Sequence, residues 1–183
     1  MAERGVLKVM SPYELVLVMV NSLVAATLIQ AGLSKAVSPG QLREALTEVG
    51  VPQVATTDSV IRGYAVAECL AGVALLFAVT RPAGVVLVAS TGLGIAGLGV
   101  LGLVRGSAEP CGCFGNPAGR PLGLPNVAIG AGLISAAAAN AALPAPADPA
   151  ALLSASLALL LLCLAVNRSW VWPLIRLDRG PSL

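Results

Sequence analysis

The segment Glu109-Pro-Cys-Gly-Cys-Phe-Gly115 sets two cysteines one glycine apart. A disulfide between such near neighbours closes a small, strained ring, and strain raises the reduction potential so that the bond readily oxidises another thiol. Gly112 and Gly115 permit the unusual backbone angles that this ring requires. Arg105 and Arg120 flank the segment, and a nearby cation favours the thiolate, which is the reactive species. The chain contains no histidine, so the usual general base and the commonest metal ligand are both missing. A structural zinc takes about four ligands and two thiolates supply half of them, so no metal site is expected within one chain. A purely structural disulfide over so short a loop would stabilise little. Cys111 and Cys113 therefore read first as a redox pair, with two unreactive thiols as the alternative.

Other residues could serve that pair. Cys69 and Cys163 are the remaining cysteines, and they read either as a second pair relaying electrons or as small apolar fillers. Glu68 interrupts the otherwise apolar run from Gly63 to Thr80. A carboxylate at such a depth is costly, so it is expected to face other helices and to have a partner, for which Lys35 is the nearest candidate. The pair would either support the chemistry or fix helix packing.

The elements that hold these residues follow from composition. Of 183 residues, 57% are hydrophobic and 11% charged, with a mean hydropathy of +0.88. Soluble domains carry about 25% charged residues, so this chain has too few to solvate a globule and reads as an integral-membrane protein. A water-soluble enzyme is excluded. A net charge of +2 and 3% aromatic residues leave no footprint for nucleic acid. Charge-free runs long enough to span a bilayer extend from Leu15 to Ser34, Pro82 to Val104, Pro121 to Ala147 and Pro149 to Asn167. With the Glu68 run they predict five helices, near 12–36, 58–80, 82–105, 124–143 and 149–170. The expected fold is one all-α membrane domain over 1–183, a polytopic bundle with a four-helix core plus one, its redox loop at 106–123. The first span reads as retained, since four more follow it.

Between the first two spans, Ser38-Pro39-Gly40-Gln41 reads as a helix start, and Leu42, Leu46 and Val49 recur at helical spacing until Gly50 and Pro52. This predicts a short helix on the membrane surface, a solvated turn being the alternative. Glycines of the third span (Gly92, Gly94, Gly97, Gly99, Gly102) and small residues of the fourth (Ala128, Gly130, Gly132, Ala136) read as close-packing faces. Asn21, Gln30 and Asn140 are scattered along the chain and form no polar row, which argues against a transporter.

The Cys111-Gly-Cys-Phe-Gly115 loop after a third span, Gly32-Leu-Ser-Lys35 at the end of the first, and Glu68 early in the second together resemble the methylamine-utilisation MauE family, within the wider DoxX-like group. The resemblance runs from about Tyr13 to Trp170. It implies a protein that helps to form or maintain disulfides in exported proteins, beside a membrane-tethered thioredoxin-like partner. It also implies that Cys111 and Cys113 carry the redox step, next to Phe114, and that Lys35, Glu68 and Asn126 form a supporting polar set. A more distant similarity, to quinone-coupled disulfide-forming enzymes such as the vitamin K epoxide reductase group, brings in a quinone as cofactor. Those proteins use a Cys-x-x-Cys pair, which this chain lacks.

Five spans put the redox loop and the C-terminal tail on one face. Eight basic residues (Lys35, Arg43, Arg62, Arg105, Arg120, Arg168, Arg176, Arg179) fall on that face against three (Arg4, Lys8, Arg81) on the other. The positive-inside rule would make the loop face cytoplasmic. Disulfide exchange persists in oxidising compartments, and that consideration favours a cell-membrane protein with its loop on the extracytoplasmic face. The expected activity is thiol-disulfide exchange with a thioredoxin-like or exported client protein. A non-enzymatic assembly subunit that holds a redox partner is the alternative.

Overall fold

The computed structural model describes residues 11–111 and 120–144, together with residues 153, 156, 157 and 159–161. Among these residues the regular structure is helical, and four helices are long and apolar enough to cross a membrane. α1 (Pro12–Val37) begins where the Ser11 backbone N–H and hydroxyl both donate to the Glu14 carboxylate at 2.9 Å, with Pro12 pre-setting the first turn. α2 (Pro39–Glu48) is the short helix expected from the Leu42, Leu46, Val49 spacing.

Ser38 does not cap α2 as its sequence position suggests. Its N–H is the last to bond into α1, donating to the Ser34 carbonyl at 2.9 Å, and its side chain makes no capping bond. A residue that closes one helix cannot also take the extended geometry that an N-cap needs for the next. The apolar side of α2 is covered by protein. Leu42 and Leu46 are buried with Ile61, while Ala45 and Val49 are buried with Cys111 and Leu122. Arg43 Nη1 reaches Asp58 Oδ1 at 3.0 Å and ties the polar side of α2 to the start of the next helix.

That next helix, α3 (Asp58–Leu76), ends before the expected boundary at Thr80. The Thr80 hydroxyl donates to the Ala74 carbonyl at 2.8 Å, and Phe77 turns to extended angles, so the last predicted turn becomes the reversal into α4. α4 (Arg81–Arg105) ends at Gly106, whose φ of 67° is the left-handed conformation that favours glycine. α5 (Leu124–Ala142) follows the loop, with Pro125 in its first turn. Helical backbone at 153, 156, 157 and 159–161 falls inside the fifth expected span. Leu160 is buried there with Ala25, Ala26 and Leu76. The rest of that span, Cys163 included, lies outside the described residues.

All four long helices contribute to one core. Val24 and Leu28 of α1, Ala71 and Leu75 of α3, Val88 of α4, and Leu133, Ala136 and Ala137 of α5 are mutually buried. Outward positions such as Leu15, Met19, Leu23, Leu93 and Leu103 are exposed, as expected for chains that meet lipid rather than water. Without a hydrophobic force between helices, cohesion depends on backbone approach. A Cβ built on Gly92 would lie 2.8 Å from the Gly130 carbonyl oxygen, and one on Gly102 would lie 2.5 Å from that of Leu122, so α4 and α5 interlock through these positions.

Not every glycine of α4 packs in this way. A Cβ on Gly97 would meet nothing within 4 Å, and one on Gly94 would meet only the Tyr64 hydroxyl at 3.6 Å. These two line a cavity instead of a helix contact, which corrects the uniform packing face expected from the glycine pattern. A second correction concerns the asparagines. Asn21 and Asn140 are not scattered: both are buried, and Asn140 Nδ2 donates to Asn21 Oδ1 at 2.7 Å. Arg81 joins them, donating to the carbonyls of Asn140 at 2.6 Å, Leu143 at 3.2 Å and Pro144 at 3.3 Å. The guanidinium thus satisfies the orphan carbonyls at the end of α5.

Candidate functional site

The site is built around Cys111 at the end of α4. Beyond the left-handed turn at Gly106, three donors converge on the Glu48 carboxylate at the end of α2: the Ser107 hydroxyl at 2.9 Å and the N–H groups of Ala108 at 2.9 Å and Glu109 at 3.2 Å. These bonds hold the Glu48 carboxyl below its usual range, the Ala108 N–H contributing most. Pro110 and Pro121 then pair as an antiparallel bridge, and the Cys111 N–H donates to the Arg120 carbonyl at 3.3 Å. Both sides of the loop are therefore fixed where it leaves the bundle.

Cys111 is 6% exposed, packed with Ala45, Val49 and Leu122. It is disulfide-bonded, and its partner lies outside the described residues. Asn126, in the first turn of α5 and 5% exposed, accepts from the Gly123 N–H at 3.2 Å through Oδ1 and directs Nδ2 at the Cys111 sulfur, 3.8 Å away. An amide donor against a sulfur favours the charge that the sulfur carries when a disulfide opens.

A second polar cluster lies between α1 and α3. Lys35 Nζ donates to both carboxylate oxygens of Glu68, at 2.8 and 2.7 Å, with the two side chains 4% and 0% exposed. The ammonium also sits 5.6 Å from the centroid of the Tyr64 ring. The partnership inferred for Glu68 is present. Among the described residues, no hydrogen bond joins this cluster to Cys111, so the polar set implied by resemblance divides into Asn126 beside the sulfur and Lys35 with Glu68 in another part of the bundle.

Cys69 is a free thiol, with Sγ 3.9 Å from the Ile29 carbonyl oxygen. A Cβ on Gly32 would lie 2.6 Å from that sulfur and from the Ala65 carbonyl oxygen, so Gly32 makes room for Cys69 at the α1–α3 contact. Arg105 and Arg120 are exposed, as expected for residues flanking the loop. The Arg105 guanidinium lies over Gly50, where its Nη1 would be 2.9 Å from a Cβ, and Arg120 meets Cys111 through its backbone carbonyl. Cys113, Phe114 and Cys163 lie outside the described residues.

Glu48 was not legible as a site residue. It reads as one charge on the polar side of an amphipathic helix, and its partners stand about sixty positions further along the chain. The only hint is its place at the end of a helix that Gly50 and Pro52 stop abruptly.

A family model described as methylamine utilisation protein MauE matches residues 13–144, which include all four long helices and the cysteine loop. The chain belongs to the MauE family. Its MauE-family segment begins at the first turn of α1 and ends just beyond α5, where Arg81 grips Pro144. No curated protein and no solved structure matches the chain. Membership and four spanning helices establish a multi-pass membrane protein in a methylamine-utilisation and redox context.

Proposed function

We propose that this MauE-family protein is a membrane thiol-disulfide oxidoreductase, exchanging electrons with an exported client or a thioredoxin-like partner through Cys111 and Cys113. The observation that carries the reading is the seat of Cys111: a disulfide-bonded sulfur on an apolar floor, with an amide donor at 3.8 Å and its loop held from both sides. A thiolate of the partner attacks one sulfur of the loop disulfide. The loop S–S bond breaks, a mixed disulfide forms, and the departing loop sulfur leaves as a thiolate. The partner's second thiolate then attacks its own sulfur in the mixed disulfide and releases the other loop thiolate. The partner loses two electrons and its thiol protons; the loop gains two electrons and takes up two protons. Asn126 steadies Cys111 while it carries charge. In this reading the loop faces the extracytoplasmic side, where disulfides persist.

A scaffold that holds a redox partner beside its client is the second reading, favoured by the amount of bonding devoted to fixing the loop. The Cys111→Ser/Cys113→Ser double variant separates the two. An oxidoreductase loses disulfide transfer to a reduced thioredoxin-like protein in proteoliposomes, whereas a scaffold retains it in full.

A further inference from the structure

We infer that the cavity between α2, α3 and α4 is a binding site for a lipid-soluble quinone, held by the Tyr64 hydroxyl above Gly94 and Gly97. The inference rests on the oxidoreductase reading and supplies its missing electron acceptor. The cavity measures about 430 Å³, within the range of small-molecule sites, and is lined by apolar side chains including Leu46, Ile61, Leu98 and Leu101. Leu93, Gly94 and Gly97 line it and are exposed, so it opens on the outer surface of a spanning helix, towards lipid.

Three observations point to an occupant with a flat apolar body and a hydrogen-bond acceptor. The floor is made by two glycines at which a Cβ would meet either open space or only the Tyr64 oxygen, so α4 is stripped of side chains there although neither glycine serves helix packing. The Tyr64 hydroxyl lines the cavity, is buried, and has no hydrogen-bond partner among the described residues. A buried phenol normally has a partner, and a carbonyl oxygen in the cavity would provide one. Lastly, Val51, Leu98 and Leu101 line the cavity and also pack on the cluster that buries Cys111, which leaves one layer of side chains between the two sites. A membrane lipid tail fills apolar space equally well but offers nothing to the phenol.

When bound, a quinone accepts two electrons and two protons and leaves as the quinol, while the two loop thiols become a disulfide. The chain's own contributions are a slot for the ring, one hydrogen bond from Tyr64, and a short apolar wall towards Cys111.

The test is calorimetric titration of the full chain in lipid nanodiscs with ubiquinone-1, with oleate as competitor. The wild type should bind one equivalent saturably. Gly97→Phe fills the slot where the backbone has open space and should abolish binding, and Tyr64→Phe should weaken it by about tenfold, the loss of one hydrogen bond. Cys111→Ser/Cys113→Ser should bind as the wild type does. Unchanged affinity in both Gly97→Phe and Tyr64→Phe overturns the site. So does equal displacement by oleate together with indifference to Tyr64→Phe, which would mark an acyl-chain groove. Because Gly97→Phe leaves Cys111 and Asn126 in place, its exchange with a partner under a chemical oxidant reports on the oxidoreductase reading separately. Loss of quinone binding with exchange intact supports both; exchange that survives the double cysteine variant refutes only the oxidoreductase reading.

Discussion

Removing one member of the Lys35–Glu68 pair should cost far more than removing both. The two groups are almost fully buried and share two contacts at 2.7 and 2.8 Å. With charge centres roughly 4 Å apart, their attraction is about 4 kcal/mol at an effective dielectric constant of about 20. Taking each charge out of water costs several kcal/mol, so the pair is close to neutral overall and each charge depends on the other. Glu68→Leu leaves an ammonium with only the face of Tyr64 to offset its burial, and Lys35→Met leaves a bare carboxylate. Each should lower stability by about 3–5 kcal/mol, whereas the double variant should fall within about 1 kcal/mol of the wild type or exceed it. Reversible unfolding in mixed micelles, analysed as a double-mutant cycle, measures all three values. The reasoning fails if either single variant costs less than about 1 kcal/mol, or if the double variant costs the sum of the singles. The same double variant settles what the pair is for: a stable bundle with full disulfide transfer makes it an element of packing, and a stable but inactive bundle makes it part of the chemistry.

Two more outcomes follow from the loop and the glycines. Glu48 is held below its ordinary value of 4.5 by the loop donors, so its hold is complete above that pH and is lost as pH falls through the lowered value. Hydrogen-exchange protection of the Ala108 and Glu109 amides, corrected for intrinsic rate, should drop as pH falls below 4.5, while Glu48→Gln should lower it and remove the pH dependence; a flat wild-type profile would refute the strap. Gly102→Ala drives a methyl into the Leu122 backbone beside Cys111 and should cost about 1–3 kcal/mol. Gly97→Ala meets open space and should stay within about 0.5 kcal/mol or gain from helix propensity. Thermal midpoints in detergent compare the two, and equal losses would contradict the division of glycines between contact and cavity.

Most of the scaffold was legible because lipid imposes a one-dimensional rule: an uncharged run of sufficient length is a helix. The α4 boundary at Arg105 and the short α2 followed from local signals, namely the glycine after the helix and the Leu42, Leu46, Val49 period. Glu68 and Lys35 were legible as partners since few other residues at that depth could neutralise each other. What escaped the sequence involves contacts between distant segments. Thr80 ends α3 by bonding back six residues, a choice that the surrounding apolar run does not announce. Asn21 and Asn140 meet only because α1 and α5 close the bundle, so their separation along the chain suggested isolation. Glu48 likewise has a helical surroundings that is unremarkable by pattern, and its role depends on where α4 ends. Gly94 and Gly97 belong to the same glycine series as Gly92 and Gly99, and only the direction in which each faces tells a contact from a void.

The hairpin of α4 and α5 is fastened at both extremities. Arg81 clasps the final carbonyls of α5 at one end, and at the other the Pro110–Pro121 bridge and the Cys111–Arg120 bond close the gap between the helices. A hairpin bound in this way behaves as a single stiff beam. Tension applied at Cys111 is shared by both helices and carried the length of the bundle to Arg81, so neither helix can be drawn outward without the other.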